Sequence, residues 1–179
     1  MELTEVTTLA TPEFALYRTL RDGAVSAKGE FIADSPKVVC MLLKQGVQAL
    51  SILATPTFYA QERALLESLQ GVTFFVASRE VMEGIVGHKV HHHVMMHGMR
   101  PTPASLDALG ERILMTLVLS KSENLGVMAR SAAALGVGSL VCSSQGAHPY
   151  GRRVLRVSMG HVSQLRFHVY EDAVATIWP

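Results

Sequence analysis

Short apolar segments alternate with helical segments along most of this chain of 179 residues. The predicted strands of the first half are Gly29–Ala33, Ala49–Leu53, Val72–Val76 and Val94–Met96. Helices are predicted to begin at Thr11-Pro12, Ser35-Pro36, Thr55-Pro56 and Ser78, since Pro in the first turn and a hydroxyl or polar cap mark helix starts. This alternation predicts a compact α/β fold.

A turn-rich stretch with two prolines, Gly98–Pro103, precedes a second α/β pattern. Ile113–Leu119 is a continuous apolar run, typical of a parallel strand that is covered on both faces. The elements predicted after it are a helix, a strand, a helix and an extended piece: Asn124–Leu135, Gly138–Cys142, Gly151–Met159 and Phe167–Tyr170. The predicted organisation is a first domain, a linker and a second domain, over residues 1–98, 99–110 and 111–179.

The composition excludes several classes of protein. Apolar residues make up 49% and charged residues 17% of the chain, which argues against disorder. No apolar run reaches the roughly 18 residues that span a bilayer, and the acidic N-terminus lacks signal-peptide character. Two cysteines cannot form a disulfide framework, so we expect a cytoplasmic protein.

Positive charge is concentrated in the second half. No Asp or Glu lies between Glu123 and Glu171, but five arginines do: Arg130, Arg152, Arg153, Arg156 and Arg166. Arginine is always charged and binds phosphate oxygens with two nitrogens, so this stretch favours a polyanionic partner. A solvated basic face is the alternative explanation.

Polar groups converge where the second domain's first strand enters its first helix. Asn124 stands at the predicted helix start and Arg130 lies about 9 Å further along the axis, so both can border a pocket at the strand ends. Gly126 leaves room for a backbone to approach closely. Alternatively, Asn124 is only a helix N-cap and Arg130 an ordinary surface residue.

The segment from Asn124 to Val137 (NLGVMARSAAALGV) resembles the first motif of the SpoU (TrmH-type) RNA 2′-O-ribose methyltransferases of the SPOUT superfamily. His148–Gly160 (HPYGRRVLRVSMG) is similar to the family's Pro-Tyr and Arg-x-Ser-x-Gly segment. Residues 12–100 resemble the small ribosomal-protein-like α/β domain that often precedes the catalytic domain. However, Ala33-Asp34 stands where the family commonly shows Glu-Gly.

The resemblance implies a fold and a reaction. It implies an N-terminal RNA substrate-binding α/β domain followed by the first half of an α/β-knot (SPOUT) methyltransferase domain, usually dimeric. The implied reaction transfers a methyl group from S-adenosylmethionine to a ribose 2′-hydroxyl of structured RNA, either rRNA or tRNA. No metal is needed, because the sulfonium already provides a good leaving group.

The resemblance also implies roles for individual residues. Arg130 matches the family's catalytic Arg and Asn124 its active-site Asn. Because a guanidinium loses its proton only at very high pH, we expect Arg130 to act electrostatically, on a phosphate or a developing alkoxide. The candidate RNA contacts are basic or polar side chains along these motifs and beside the linker: Lys89, Arg100, Arg152, Arg153, Arg156 and Ser158.

Two further family motifs, a Gly-rich stretch with a Glu and a Ser-Leu-Asn loop, are absent before Pro179. In the family those segments form the knot and most of the methyl-donor pocket. We therefore expect this chain to be a fragment, with an open sheet edge and an uncovered apolar face. Its cofactor-binding residues are unassigned.

Histidines crowd the end of the first domain: His88, His91, His92, His93 and His97. His93 and His97 have the i,i+4 spacing of helical metal ligands, but the stretch is predicted to be loop followed by strand, with no cysteine nearby. RNA contact or simple exposure is the favoured explanation. A Cys142 nucleophile with His148 as its partner is a further, weaker alternative.

Three hypotheses remain: a SpoU-type methyltransferase, a non-catalytic RNA-binding protein, and a metal-binding regulator that uses the histidines. Coding sequence downstream of Pro179 separates the first two hypotheses. A reading frame that carries the two further motifs supports the enzyme, whereas a stop codon supports the binding protein. Metal analysis after chelator treatment tests the third.

The fragment hypothesis predicts weak binding of the methyl donor. In a calorimetric titration of the 179-residue chain with S-adenosylmethionine, we expect little or no heat of binding, because most of the pocket is missing. Micromolar affinity in that titration would contradict the hypothesis.

Overall fold

The structure is a computed structural model that describes residues 3–6, 14–18, 28–86 and 93–172. It divides into two compact units, Met1–Arg100 and Pro101–Pro179, each with its own sheet. The assignment of separate functions to residues 1–98, 99–110 and 111–179 stays a prediction. No helix in the described ranges has the length and apolarity needed to cross a bilayer.

The N-terminal unit contains a five-stranded mixed sheet. Its strands are β1 (Leu3–Glu5), β2 (Glu30–Asp34), β3 (Ala49–Ala54), β4 (Thr73–Val76) and β5 (Val94–Met99). The strand order is β1-β4-β3-β5-β2, with β1, β4 and β3 parallel and β5 antiparallel to both of its neighbours. Its helices are α1 (Ala15–Arg18), α2 (Pro36–Lys44), α3 (Pro56–Gln61), α4 (Arg63–Glu67) and α5 (Arg79–Val86).

Proline and hydroxyl residues start the helices as expected. Pro36 and Pro56 occupy the first turns of α2 and α3, and the Thr55 side chain accepts a hydrogen bond from the backbone N–H of Phe58. The helix predicted to begin at Thr55-Pro56 is two short helices, α3 and α4, because the backbone of Glu62 departs from the helical conformation. The predicted start Thr11-Pro12 lies outside the described residues.

Close packing at β5 explains why a glycine lies inside this strand. The Phe31 ring of β2 covers Gly98, and a Cβ at Gly98 would lie 2.8 Å from that ring and 2.9 Å from the Gln48 carbonyl oxygen. The strand continues to Met99, so Gly98 and Met99 belong to the sheet and not to a connecting segment.

The C-terminal unit contains a parallel sheet with the order β6-β7-β8. Its elements are β6 (Ile113–Met115), α6 (Ser122–Ala134), β7 (Ser139–Ser143), α7 (Arg152–Val157) and β8 (Arg166–Tyr170), with 3₁₀ turns at Leu106–Ala108 and His161–Gln164. The alternation of strand and helix predicted from the sequence is therefore present in this unit.

One predicted feature of this unit is wrong. The apolar run Ile113–Leu119 pairs with β7 over three residues only, and Leu117 and Val118 are 69% and 58% exposed. The side chains of Ile113 and Met115 are exposed as well, so β6 is not covered on both faces within the described part of the chain. An apolar run predicts that its side chains are buried. The length of the strand depends on how many residues the neighbouring strand, here β7, can pair with.

Ser35 has a strained backbone, with φ 84° and ψ 139°, a region that only glycine adopts readily. Its side chain makes no capping hydrogen bond with α2. We expect Ser35→Gly to raise Tm by a few degrees, because relief of about 1–3 kcal/mol of strain exceeds a glycine entropy cost of roughly 0.5–1 kcal/mol.

The matched control for this prediction is Ser35→Ala, which removes the same hydroxyl but keeps the Cβ. Thermal unfolding followed by circular dichroism compares the two variants. Equal Tm values for the glycine and alanine variants would show that the backbone at this position carries no strain.

Candidate active site

Both helices of the C-terminal unit begin at the same edge of its sheet. α6 follows the carboxyl end of β6 after six residues, and α7 follows the carboxyl end of β7 after eight. Since the strands are parallel, the two helix starts lie at the carboxyl edge of the sheet. Open α/β sheets bind ligands at this edge.

The loops at this edge are held together by backbone contacts. The Ala147 N–H donates to the Leu119 carbonyl oxygen at 2.8 Å, and a Cβ at Gly146 would lie 3.1 Å from the Leu119 backbone. The Tyr170 hydroxyl donates to the Thr116 carbonyl oxygen at 3.0 Å. These contacts fix the segment that leads from β6 into α6.

The buried side of α6 packs tightly against α7. Leu125, Ala129 and Ala132 are buried, and Gly126 lies directly against α7. A Cβ at Gly126 would lie 2.8 Å from the Val157 Cβ and 3.1 Å from the Val154 carbonyl oxygen. The close approach expected at Gly126 is therefore made by another helix of the same unit.

The opposite side of α6 carries the two candidate catalytic residues. Asn124 and Arg130 are both exposed. The helix begins at Ser122 with Lys121 before it, so Asn124 lies in the first turn and is not the N-cap. Six helical steps separate the two residues by about 9 Å along the axis and roughly 120° around it. Within the described residues, no carboxylate forms an ion pair with Arg130.

The arginines of α7 differ in their surroundings. Arg156 is exposed, whereas Arg152 is partly buried and one of its terminal nitrogens is out of contact with solvent. The Arg153 Nε atom lies 2.9 Å from Glu123 Oε1, in the first turn of α6. Glu123 is a neighbour that the sequence analysis missed, although it is the only acidic residue in the range 112–170.

Ser158 does not fit the role that its motif suggested. It is fully buried, and its hydroxyl donates to the Leu155 carbonyl oxygen at 3.2 Å. A hydroxyl in this position stabilises the C-terminal end of α7 and is not accessible to RNA. We therefore leave Ser158 out of the RNA contacts proposed below.

In the N-terminal unit, Arg100 is partly buried, with its Nε out of contact with solvent. His97 lies in β5, where its Nε2 is 3.1 Å from Glu30 Oε2. Lys89, His88, His91 and His92 lie outside the described residues. Among the residues that are described, no group of three potential ligands could hold a metal ion.

Cys142 lies in β7 and does not have the properties of a nucleophile. Its thiol is buried, its Sγ is 3.7 Å from the His168 carbonyl oxygen, and burial raises the pKa of the thiol to about 11. The suggested partner, His148, accepts a hydrogen bond at Nδ1 from the Tyr150 backbone N–H at 3.0 Å. A protonated, buried thiol reacts poorly as a nucleophile.

Comparison with known proteins gives one family for this unit. Residues 111–178 match the sequence model of the SpoU rRNA Methylase family. We refer to them as the SpoU segment. The segment contains Asn124, Arg130, Glu123 and the arginines of α7.

Relatives with longer sequences are described as RNA methyltransferases. "Uncharacterized tRNA/rRNA methyltransferase" proteins of Mycobacterium bovis and Mycobacterium tuberculosis are 29% identical to this chain over 157 residues. The alignment covers 86% of this chain and 52% of each relative, so the chain spans about half the length of the curated relatives it matches.

Solved structures show the same fold. An AdoMet-bound rRNA methyltransferase from Sinorhizobium meliloti superimposes with a TM-score of 0.82 at 20% identity, over 98% of this chain and 68% of that chain. A structure described as an RNA 2′-O ribose methyltransferase gives a TM-score of 0.71 at 20% identity, over 98% and 69%. The α/β architecture of the SpoU fold is therefore shared by this chain.

The contact at Gly126 gives a prediction about the SpoU segment. We expect Gly126→Ala to lower the free energy of unfolding by about 1–3 kcal/mol, because the new methyl group would overpack against Val157 and the backbone of α7. Urea titration followed by fluorescence and circular dichroism measures the change.

The matched control is Gly138→Ala, since a Cβ at Gly138 would have nothing within 4 Å and the residue lies before a strand of the same unit. We expect this control to change stability much less. A similar loss in both variants would contradict the importance of the close helix contact.

Proposed function

We propose that this chain carries part of the active site of a methyltransferase that modifies the ribose 2′-hydroxyl of structured RNA, either rRNA or tRNA. The observation that carries the proposal is the exposure of Asn124 and Arg130 on α6, a helix whose first turn, with Asn124, lies at the carboxyl edge of the sheet in the SpoU segment. The mycobacterial relatives described as tRNA/rRNA methyltransferases support RNA as the substrate.

The proposed methyl donor is S-adenosylmethionine, as in the AdoMet-bound protein of similar fold. The donor would supply a methyl group on a sulfonium, which needs no metal for activation. The exposed amide and guanidinium on α6 fit the ribose and phosphate side of the reaction. We assign none of the described residues to binding the adenosine part of S-adenosylmethionine.

The chemistry of the guanidinium limits the roles that Arg130 can have in catalysis. Its guanidinium remains protonated at neutral pH, so it stabilises negative charge on the ribose oxygen as the hydroxyl loses its proton, or binds the adjacent phosphate. Asn124 has both a donor and an acceptor, and it orients the nucleotide beside Arg130. The exposure of both residues leaves them accessible to a large substrate.

RNA binding is proposed for each unit separately. In the SpoU segment, the exposed Arg156 and the partly buried Arg152 are the proposed phosphate contacts on α7. In the N-terminal unit, proposed as the RNA substrate-binding domain, the contacts are Arg100 and Lys89. Homodimerisation, which the resemblance suggests, and a cytoplasmic location, which the two cysteines suggest, stay predictions.

Methyl transfer by the gene product that carries these residues tests the proposal. We expect Arg130→Ala to lower transfer from labelled S-adenosylmethionine to RNA by roughly 10²–10³-fold, because charge on the ribose oxygen is no longer stabilised. Resistance of the modified RNA to alkaline cleavage at the labelled nucleotide identifies the 2′-oxygen as the acceptor.

The control variant is Ser131→Ala, which changes the exposed neighbour of Arg130. We expect it to retain activity. Normal transfer by Arg130→Ala would contradict a catalytic role for Arg130. RNA binding by the wild-type product without any methyl transfer would favour the alternative of a non-catalytic RNA-binding protein.

A further inference from the structure

We propose that Glu123 withholds Arg153 from RNA and thereby limits the affinity of this edge for phosphate. The inference rests on the proposed RNA-binding function of the SpoU segment. Under it, Arg153 is held in an intramolecular ion pair with Glu123, while Arg152 and Arg156 are the proposed phosphate contacts of α7.

The geometry of the ion pair supports the proposal that Glu123 holds Arg153. Arg153 Nε and Glu123 Oε1 are 2.9 Å apart, and the two side chains are 58% and 52% exposed. The pair bridges the first turn of α6 and the first turn of α7, next to Asn124. Arg153 is therefore already engaged by a carboxylate at the edge where RNA would bind.

The carboxylate has a further reason to remain charged. A hydrogen bond from its own backbone N–H lowers the pKa of Glu123, and the interaction with Arg153 lowers it further. The position in the first helical turn also favours negative charge, because the helix dipole presents its positive end there. Glu123 is thus ionised throughout the neutral pH range.

Stability alone does not explain this arrangement. Ion pairs between exposed side chains contribute little to folding, since water and salt screen them. Glu123 is also the only acidic residue in the range 112–170, and it stands at the edge proposed to receive phosphates. A carboxylate there repels RNA unless a cation neutralises it, and the structure pairs it with Arg153.

The pair has a consequence that salt dependence can measure. RNA binding releases about one counterion for each phosphate that a free cation neutralises, so the logarithm of the binding constant falls with the logarithm of salt concentration. An arginine that stays paired with Glu123 adds nothing to this slope. Removing the carboxylate would add one cation to the binding surface.

The experiment measures binding of the 179-residue chain to labelled bulk bacterial transfer RNA and to labelled heparin, across a range of salt concentrations. The variants are Glu123→Gln, Arg153→Ala, the double variant, and Arg156→Ala. The matched control is Glu111→Gln, which removes an exposed carboxylate of the same unit that forms no ion pair among the described residues.

We expect Arg153→Ala to weaken RNA binding, because it leaves the Glu123 carboxylate without a neutralising cation, and Arg156→Ala to lower the salt slope by about one ion. Glu123→Gln should steepen the slope by about one ion and raise RNA affinity roughly 5- to 10-fold at 0.1 M salt. The double variant should return to the wild-type slope, and Glu111→Gln should match the wild type.

Two outcomes would overturn the inference. In the first, the double variant has a slope about one ion below that of the wild type, which would make Arg153 a direct phosphate contact. In the second, Glu123→Gln raises affinity equally with and without Arg153, which would show simple repulsion by the carboxylate.

The heparin measurement separates this inference from the proposed function. If the wild-type chain binds heparin but not RNA, the proposed function fails and the heparin slopes still decide whether Glu123 withholds Arg153. If the chain binds neither polyanion, both the inference and the proposed RNA contact of α7 are contradicted.

Discussion

The close contact between α6 and α7 at Gly126 orients the rest of the C-terminal unit. Because the backbone of α7 lies against Gly126, the face of α6 with Leu125 and Ala129 is buried. The opposite face, with Asn124 and Arg130, is therefore exposed. A bulkier residue at position 126 would separate the helices and change which groups face the carboxyl edge.

Much of the fold could be predicted from local sequence signals. Helices α2 and α3 begin at Ser35-Pro36 and Thr55-Pro56 in the structure, and the apolar segment between them forms β3. These signals are local, since a proline in the first turn or a β-branched run acts within a few residues. β1 was missed because its residues, Leu3–Glu5, are few and all exposed.

Features that depend on distant neighbours could not be predicted. The apolar run after Ile113 predicts a longer strand, but only three of its residues pair with β7. Nothing in the sequence indicates that Ser35 adopts a positive φ angle. Strand length and backbone strain are set by the surrounding packing, which local patterns do not contain.

The candidate site, like the fold, could be predicted only in part from the sequence. The motif identified Asn124 and Arg130, and the structure exposes both of them on one helix. The second segment, His148–Gly160, suggested Ser158 and Arg153 as RNA contacts, but Ser158 is buried and Arg153 is paired with Glu123. Residue type predicts what a side chain can bind, whereas burial and existing partners decide whether it is available.

The central claim is that RNA binds the SpoU segment at the carboxyl edge of its sheet. Ultraviolet cross-linking of the chain to RNA, followed by mass spectrometry of the linked peptides, tests it most directly. Cross-links should fall in the first turn of α6, near Asn124, and in α7, near Arg152 and Arg156. Cross-links confined to the opposite edge, at Arg112 and Arg166 where the strands begin, would contradict it.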